Sequence, residues 1–159
     1  MSFKTKLLFV DDEEAIQNLF LEAMMNEGLL IETASDGKEA LMKLKTFPAD
    51  IVITDVMMPN MGDLELLEEI RIRYPEIFFL IITGYGSIDD AVKAMKAGAY
   101  DYNLKPFDFD VVRMVIEKLN AHKRILDKNF FLERIAEKNI ALRISSDKIR
   151  KCLRSSRRL

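Results

Sequence analysis

The chain has 159 residues, 49% of them hydrophobic. That suffices for one domain with a full core and is too apolar for a disordered segment. A single cysteine, Cys152, excludes an internal disulfide framework and points to a reducing compartment. The net charge of −2 hides a split. Residues 1–119 carry 12 Lys and Arg against 22 Asp and Glu, while residues 120–159 carry 12 against 4. An acidic domain over 1–119 and a basic helical extension or linker over 120–159 are expected. The opening residues Met1–Lys6 have no secretory h-region or cleavage site, and no apolar stretch is long enough to span a bilayer. The expected location is cytoplasmic.

Apolar runs rich in β-branched and aromatic residues alternate with amphipathic stretches. Strands are predicted near 6–10, 30–34, 50–55, 77–83 and 100–104, and helices near 14–27, 38–46, 64–74 and 87–97. Gly28, Gly37, Pro48, Pro75 and Gly98 fall between these elements. Asp63 is placed to N-cap a helix beginning at Leu64, and Ser87 one beginning near Ile88. The alternation predicts βαβ units, hence a parallel sheet with helices on both faces.

A fifth helix begins near Asp108 and meets no Gly or Pro through Ala141. Leu132, Ile135, Asn139, Leu142, Ser146, Ile149 and Leu153 follow the 3-4 spacing of a coiled-coil seam. Ser145-Ser146-Asp147 is expected to break the helix and cap a short last one.

Four strand ends carry chemistry. The first run ends in Asp11-Asp12, the third in Asp55, the fourth in Thr83-Gly84, and the segment around Tyr102 in Lys105-Pro106. Sites in open parallel sheets lie beyond the carboxyl ends of the strands. Three carboxylates, one hydroxyl and one ammonium are therefore expected at one edge. Hard oxygen ligands of this kind suit Mg²⁺, which binds a few carboxylates together with water and a phosphoryl oxygen. Clustered carboxylates also repel, so at least one pKa is expected to rise.

Other readings of the same residues stand beside this one. Asp11-Asp12-Glu13-Glu14 also suits the acidic first turn of a helix. Tyr102 suits core packing as well as a switch. The basic tail reads best as the solvated face of a linker helix; a nucleic-acid patch would want interleaved aromatics or a helix-turn-helix, and the tail has neither. It also suits the start of a further domain. There is no Cys/His cluster for zinc and no G-x-x-x-x-G-K-[ST] loop.

Taken together, Val10-Asp11-Asp12-Glu13, Asp55-Val56-Met57-Met58-Pro59, Thr83-Gly84, Gly98-Ala99-Tyr100-Asp101-Tyr102 and Lys105-Pro106-Phe107 resemble the response-regulator receiver domains of two-component signalling. The resemblance covers about residues 5–119. The stretch from Thr83 through Phe107 most resembles receivers that control sigma-54-dependent AAA+ activators. It implies a flavodoxin-like, doubly wound five-stranded parallel sheet of order 2-1-3-4-5, here with an extended C-terminal helix. It implies a phosphorylation-dependent switch rather than an enzyme, with a sensor histidine kinase as partner and a downstream output domain or protein; the seam of the extension, with Asn139 in it, predicts a homodimer. Asp55 would be the phosphoacceptor. Asp12, Asp55 and the Met57 carbonyl would bind Mg²⁺ directly, with Asp11 acting through water. Thr83 would bond the phosphoryl group while Tyr102 turns inward. Lys105 would contact a phosphoryl oxygen across a cis Lys105-Pro106 bond.

Two positions depart from the family pattern. The order Gly62-Asp63 is reversed, which alters the loop beside the site. Asn103 replaces an apolar strand residue, which predicts a distorted fifth strand. Two other functions fit parts of the pattern. A Mg²⁺-dependent aspartyl-phosphate phosphatase would want a second Asp two residues after the nucleophile, where Met57 stands. A phosphorylation-independent dimerisation module would have no use for the acidic set, Thr83 and Lys105.

Overall fold

Apolar runs that alternate with amphipathic stretches fold as expected into strands that alternate with helices. A computed structural model describes residues 4–55, 61–84, 86–106 and 108–156. In chain order the elements are β1 (Lys6–Val10), α1 (Glu14–Met24), β2 (Leu30–Ala34), α2 (Gly37–Leu44), β3 (Ile51–Thr54), α3 (Asp63–Arg73), β4 (Phe78–Thr83), α4 (Ile88–Lys96), β5 (Asp101–Leu104) and α5 (Phe109–Ser156). The chain forms two compact units, Met1–Leu119 and Asn120–Leu159.

All five strands of the first unit join one sheet of order β2-β1-β3-β4-β5, and every pairing is parallel. This is the flavodoxin-like topology the resemblance implies. The pleat sends neighbouring side chains to opposite faces. Leu8 and Val10 of β1, Val52 of β3 and Phe79 and Ile81 of β4 meet Leu41 and Leu44 of α2, Leu66, Leu67 and Ile70 of α3 and Ala94 of α4. Leu7, Phe9, Ile51, Ile53, Leu80 and Ile82 meet Phe20 and Met24 of α1 and Val112, Ile116 and Leu119 of α5. Phe9 and Phe20 stack with ring centroids 4.0 Å apart. Each fully buried side chain of this size contributes about 2 kcal/mol. Burial on both faces explains why β1, β3 and β4 are continuous apolar runs with no polar alternation.

Three local expectations meet different outcomes. Ser87 caps α4 as expected, in a reciprocal box with Asp90. Asp63 does not cap α3. The extended residue before the helix is Gly62 (φ −71°, ψ 169°), whose carbonyl accepts the first helical bond from the Leu66 N–H, so Asp63 is already helical. The break expected at Ser145-Ser146-Asp147 does not occur, because α5 runs through it to Ser156. Serine costs a helix only a few tenths of a kcal/mol relative to its best formers, roughly half the cost of glycine, so two in succession do not stop one.

β5 is not distorted by Asn103. It keeps an unbroken register with β4 from Asp101 opposite Leu80 to Leu104 opposite Thr83. The Asn103 amide donates to Asp101 Oδ2 at 3.2 Å, which gives the polar side chain a partner on its own edge strand.

In the second unit, the described side chains of residues 121–155 are exposed except that of Lys123. They include Leu132, Ile135, Leu142, Ile149 and Leu153, the apolar members of the 3-4 seam. Among the described residues, no helix is long and apolar enough to cross a membrane.

Candidate functional site

Because the strands are parallel and in register, their carboxyl ends share one edge. Val10 lies opposite Thr54, so the residues that follow, Asp11 and Asp55, are neighbours. Thr83 lies opposite Leu104, so Lys105 follows beside it. The Asp55 N–H donates to the Val10 carbonyl at 3.1 Å, and the Lys105 N–H to the Thr83 carbonyl at 2.5 Å. Backbone bonding thus extends past the strand ends and carries the functional side chains with it.

The acidic residues converge. One carboxylate oxygen from each of Asp11, Asp12 and Asp55 lies within 4.8 Å of the others. Their environments differ. The Asp11 side chain is 1% exposed and that of Asp55 15% exposed, whereas Asp12 faces solvent. Lys105 reaches between the two less exposed acids. Its Nζ lies 2.8 Å from Asp55 Oδ2 and 3.3 Å from Asp11 Oδ2. The Lys105–Pro106 peptide is cis.

Burial raises the pKa of Asp11 above its ordinary value of 3.8. The Glu13 N–H, which donates to Asp11 Oδ1 at 2.9 Å, and the Lys105 ammonium offset only part of this. Repulsion from Asp55 is a lesser contributor. A raised carboxyl was expected; its main cause is desolvation, not carboxylate crowding. For Lys105 burial acts to lower the pKa, but the Asp55 hydrogen bond and the charges of Asp11 and Asp55 outweigh it. The ammonium is therefore held more firmly than in water.

Thr83 ends β4 and is fully buried. Tyr102 of β5 packs against the core on the α2–α4 side of the sheet. A Cβ added at Gly86 would stand 2.1 Å from the Tyr102 hydroxyl and 3.1 Å from Thr83 Cγ2. The tyrosine hydroxyl thus lies in a slot that only glycine at position 86 leaves open, next to the threonine. Met57, the expected carbonyl ligand, lies outside the described residues.

One contributor escaped the sequence reading. Gln17 of α1 is buried, and its Nε2 donates to the Asp11 carbonyl at 2.6 Å. Its signal was a polar residue three positions before Phe20 and seven before Met24, on the helix face that is otherwise apolar.

The donor set fits Mg²⁺. It offers hard carboxylate oxygens at one partly open strand edge, with too few ligands among the described residues for a closed all-protein cage.

The chain is similar to known proteins. The response regulator receiver domain family matches residues 7–117. The transcriptional regulatory protein ZraR of Klebsiella oxytoca is 36% identical over 119 residues, covering 75% of this chain and 27% of ZraR. An NtrX-like response regulator of Rickettsia bellii (strain RML369-C) is 34% identical over 166 residues, covering 96% of this chain and 34% of that protein. The crystal structure of a response regulator receiver domain protein from Clostridium thermocellum is 32% identical, with a TM-score of 0.73 over 77% of this chain and 98% of that one. The chain spans about a quarter to a third of the length of these curated relatives. They bear out the likeness to receivers of sigma-54-dependent activators.

Proposed function

This chain belongs to the response regulator receiver domain family of two-component signalling, and on that premise we propose that it is a switch operated by phosphorylation of Asp55. The observation that carries the proposal is the meeting of Asp11, Asp12 and Asp55 at one strand edge with the Lys105 ammonium. A sensor histidine kinase is the donor. An Asp55 carboxylate oxygen attacks the phosphorus of the phosphohistidine. A P–O bond forms, the P–N bond breaks with its electron pair left on the imidazole, and the imidazole takes up a proton from solvent.

The chain's own residues position charge rather than move protons, which is the usual demand of phosphoryl transfer. Asp55 is the nucleophile. Lys105 exchanges its contact with Asp55 Oδ2 for one with a phosphoryl oxygen, while Asp11 keeps the ammonium close. The Thr83 hydroxyl donates to the phosphoryl group, and Tyr102 keeps the slot at Gly86 that it already fills. Asp12 and Asp55 would hold Mg²⁺ directly, with Asp11 acting through water and the Met57 carbonyl as the further ligand that the resemblance implies. When bound, the ion offsets the crowded negative charge and binds a phosphoryl oxygen.

Residues 1–119 act as the receiver, and the basic extension 120–159 carries its state to a second copy or to a downstream output domain. The setting is the cytoplasm, where the kinase phosphorylates its partners. The direct test is to incubate the full chain with a small phosphodonor and Mg²⁺ and to map the adduct by mass spectrometry. A single adduct on Asp55 that needs Mg²⁺ and is lost in Asp55→Ala is expected. Equal labelling of Asp55→Ala, or labelling indifferent to a chelator, would overturn this reading.

A further inference from the structure

We infer that Gln17 is a positioning residue of the metal site, acting through the backbone that carries Asp11 and Asp12. The inference rests on the functional reading above and adds a residue to it. Gln17 is buried on α1, one helical turn beyond Glu13, whose carbonyl accepts its N–H at 3.0 Å. Its Nε2 lies 2.6 Å from the Asp11 carbonyl, 3.3 Å from the Ala34 carbonyl and 3.3 Å from Ser35 Oγ. Two of these partners are carbonyl oxygens, so the nitrogen and not the oxygen of the amide must face them. The Ala34 carbonyl also accepts from the Asp11 N–H at 3.0 Å. One side chain therefore ties the ends of β1 and β2 together.

The consequence follows from the planarity of the peptide. The Asp11 carbonyl and the Asp12 N–H belong to one rigid unit that ends at the Asp12 Cα. The Ala34 carbonyl holds the preceding peptide through the Asp11 N–H, and Gln17 holds this one through the Asp11 carbonyl, so both peptides flanking Asp11 are tied down. The place of the Asp12 Cα, from which its side chain departs, is then fixed too. Asp12 is exposed, so no packing orients its carboxylate. The Asp11 carboxylate has its own restraints in the Glu13 N–H and Lys105. Gln17 is thus the side chain that anchors the backbone beneath the one acid of the three that packing does not hold.

The test is Mg²⁺ titration of the full chain by calorimetry, without phosphodonor, comparing the wild type with Gln17→Met. Methionine keeps most of the volume and removes the donor. Partners that orient metal ligands are worth roughly 10- to 100-fold in affinity, so at least about a tenfold rise in the Mg²⁺ dissociation constant is expected. Labelling of Asp55 by a small phosphodonor should fall at low Mg²⁺ and recover as Mg²⁺ is raised. A packing role alone would lower the melting temperature and leave the dissociation constant unmoved, and that result would overturn the inference. If Gln17→Met does not fold, Gln17→Asn keeps the amide and withdraws it by one methylene; an intermediate loss of affinity is expected, and unchanged affinity would be equally fatal. A wild type that binds no Mg²⁺, or an Asp12→Ala variant that binds it equally well, would instead sink the underlying site.

Discussion

Asp11 shows how a single residue bears the cost of the site. Its carboxylate is buried, and its pKa is raised because the Glu13 N–H and Lys105 do not fully replace lost hydration. A group that prefers its neutral form in the fold destabilises the fold when charged. The sign can be worked out. Above its folded pKa, Asp11 is ionised in both states and its penalty is fully present. As pH falls through that value the folded state takes up the proton first, and the penalty is gone below the unfolded value of 3.8. In chelator, Asp11→Asn should therefore melt at a higher temperature than the wild type at neutral pH. Asparagine can still accept from the Glu13 N–H. The gap should close as pH is lowered toward 3.8, and thermal melts across that range would check it. A lower melting temperature for Asp11→Asn at neutral pH would mean that the Lys105 ion pair outweighs desolvation.

Elements were legible in proportion to how much of their sequence is spent on packing. β1, β3 and β4 are buried on both faces, so their apolar runs announced them and their ends pointed to Asp11, Asp55 and Thr83. The Ser87 cap was legible because a capping box is local chemistry. Its Oγ accepts from the Asp90 N–H at 3.1 Å and donates to Asp90 Oδ2 at 2.8 Å, and Oδ2 also accepts from the Ser87 N–H. Gln17 was not legible, since two of its three partners are backbone atoms at two strand ends and backbone atoms leave no trace in a sequence. The start of α3 was missed for a related reason: glycine serves as a cap through its backbone, while Asp63 looked better on side-chain grounds. The α4 cap also carries a pH signature. The Ser87 hydrogen bonds hold the Asp90 carboxyl below its ordinary value of 3.8. The stability this gives is present above that value and is lost as pH falls through the lower folded pKa. Ser87→Ala should cost about 1 kcal/mol and speed amide exchange at the start of α4. Unchanged exchange there would mean the box is not holding the helix.

At the scale of the whole molecule, the division of charge is matched by a division of structure. The acidic unit, Met1–Leu119, encloses two apolar layers, while the basic unit, Asn120–Leu159, leaves its apolar side chains in water. With Asn139 and Ser146 between them, Leu132, Ile135, Leu142, Ile149 and Leu153 form a 3-4 seam, and a helix with such a seam gains by pairing it. Asn139 at a seam position favours one register at some cost in stability. The neighbouring positions oppose too tight a pair. Lys138, Arg143 and Arg150 flank the seam with like charge, so pairing of two copies should strengthen as salt is raised. That combination suits a dimer whose strength the receiver can adjust, because a modest free-energy difference then moves the population. Sedimentation of the full chain should give a dimer both with and without a phosphoryl mimic, with a different dissociation constant in each state. A chain ending at Leu119 should lose the salt-strengthened component, and Leu142→Lys in the full chain should weaken it in the same direction. If the full chain is monomeric in both states, the seam has no second copy to meet and the extension serves only to connect.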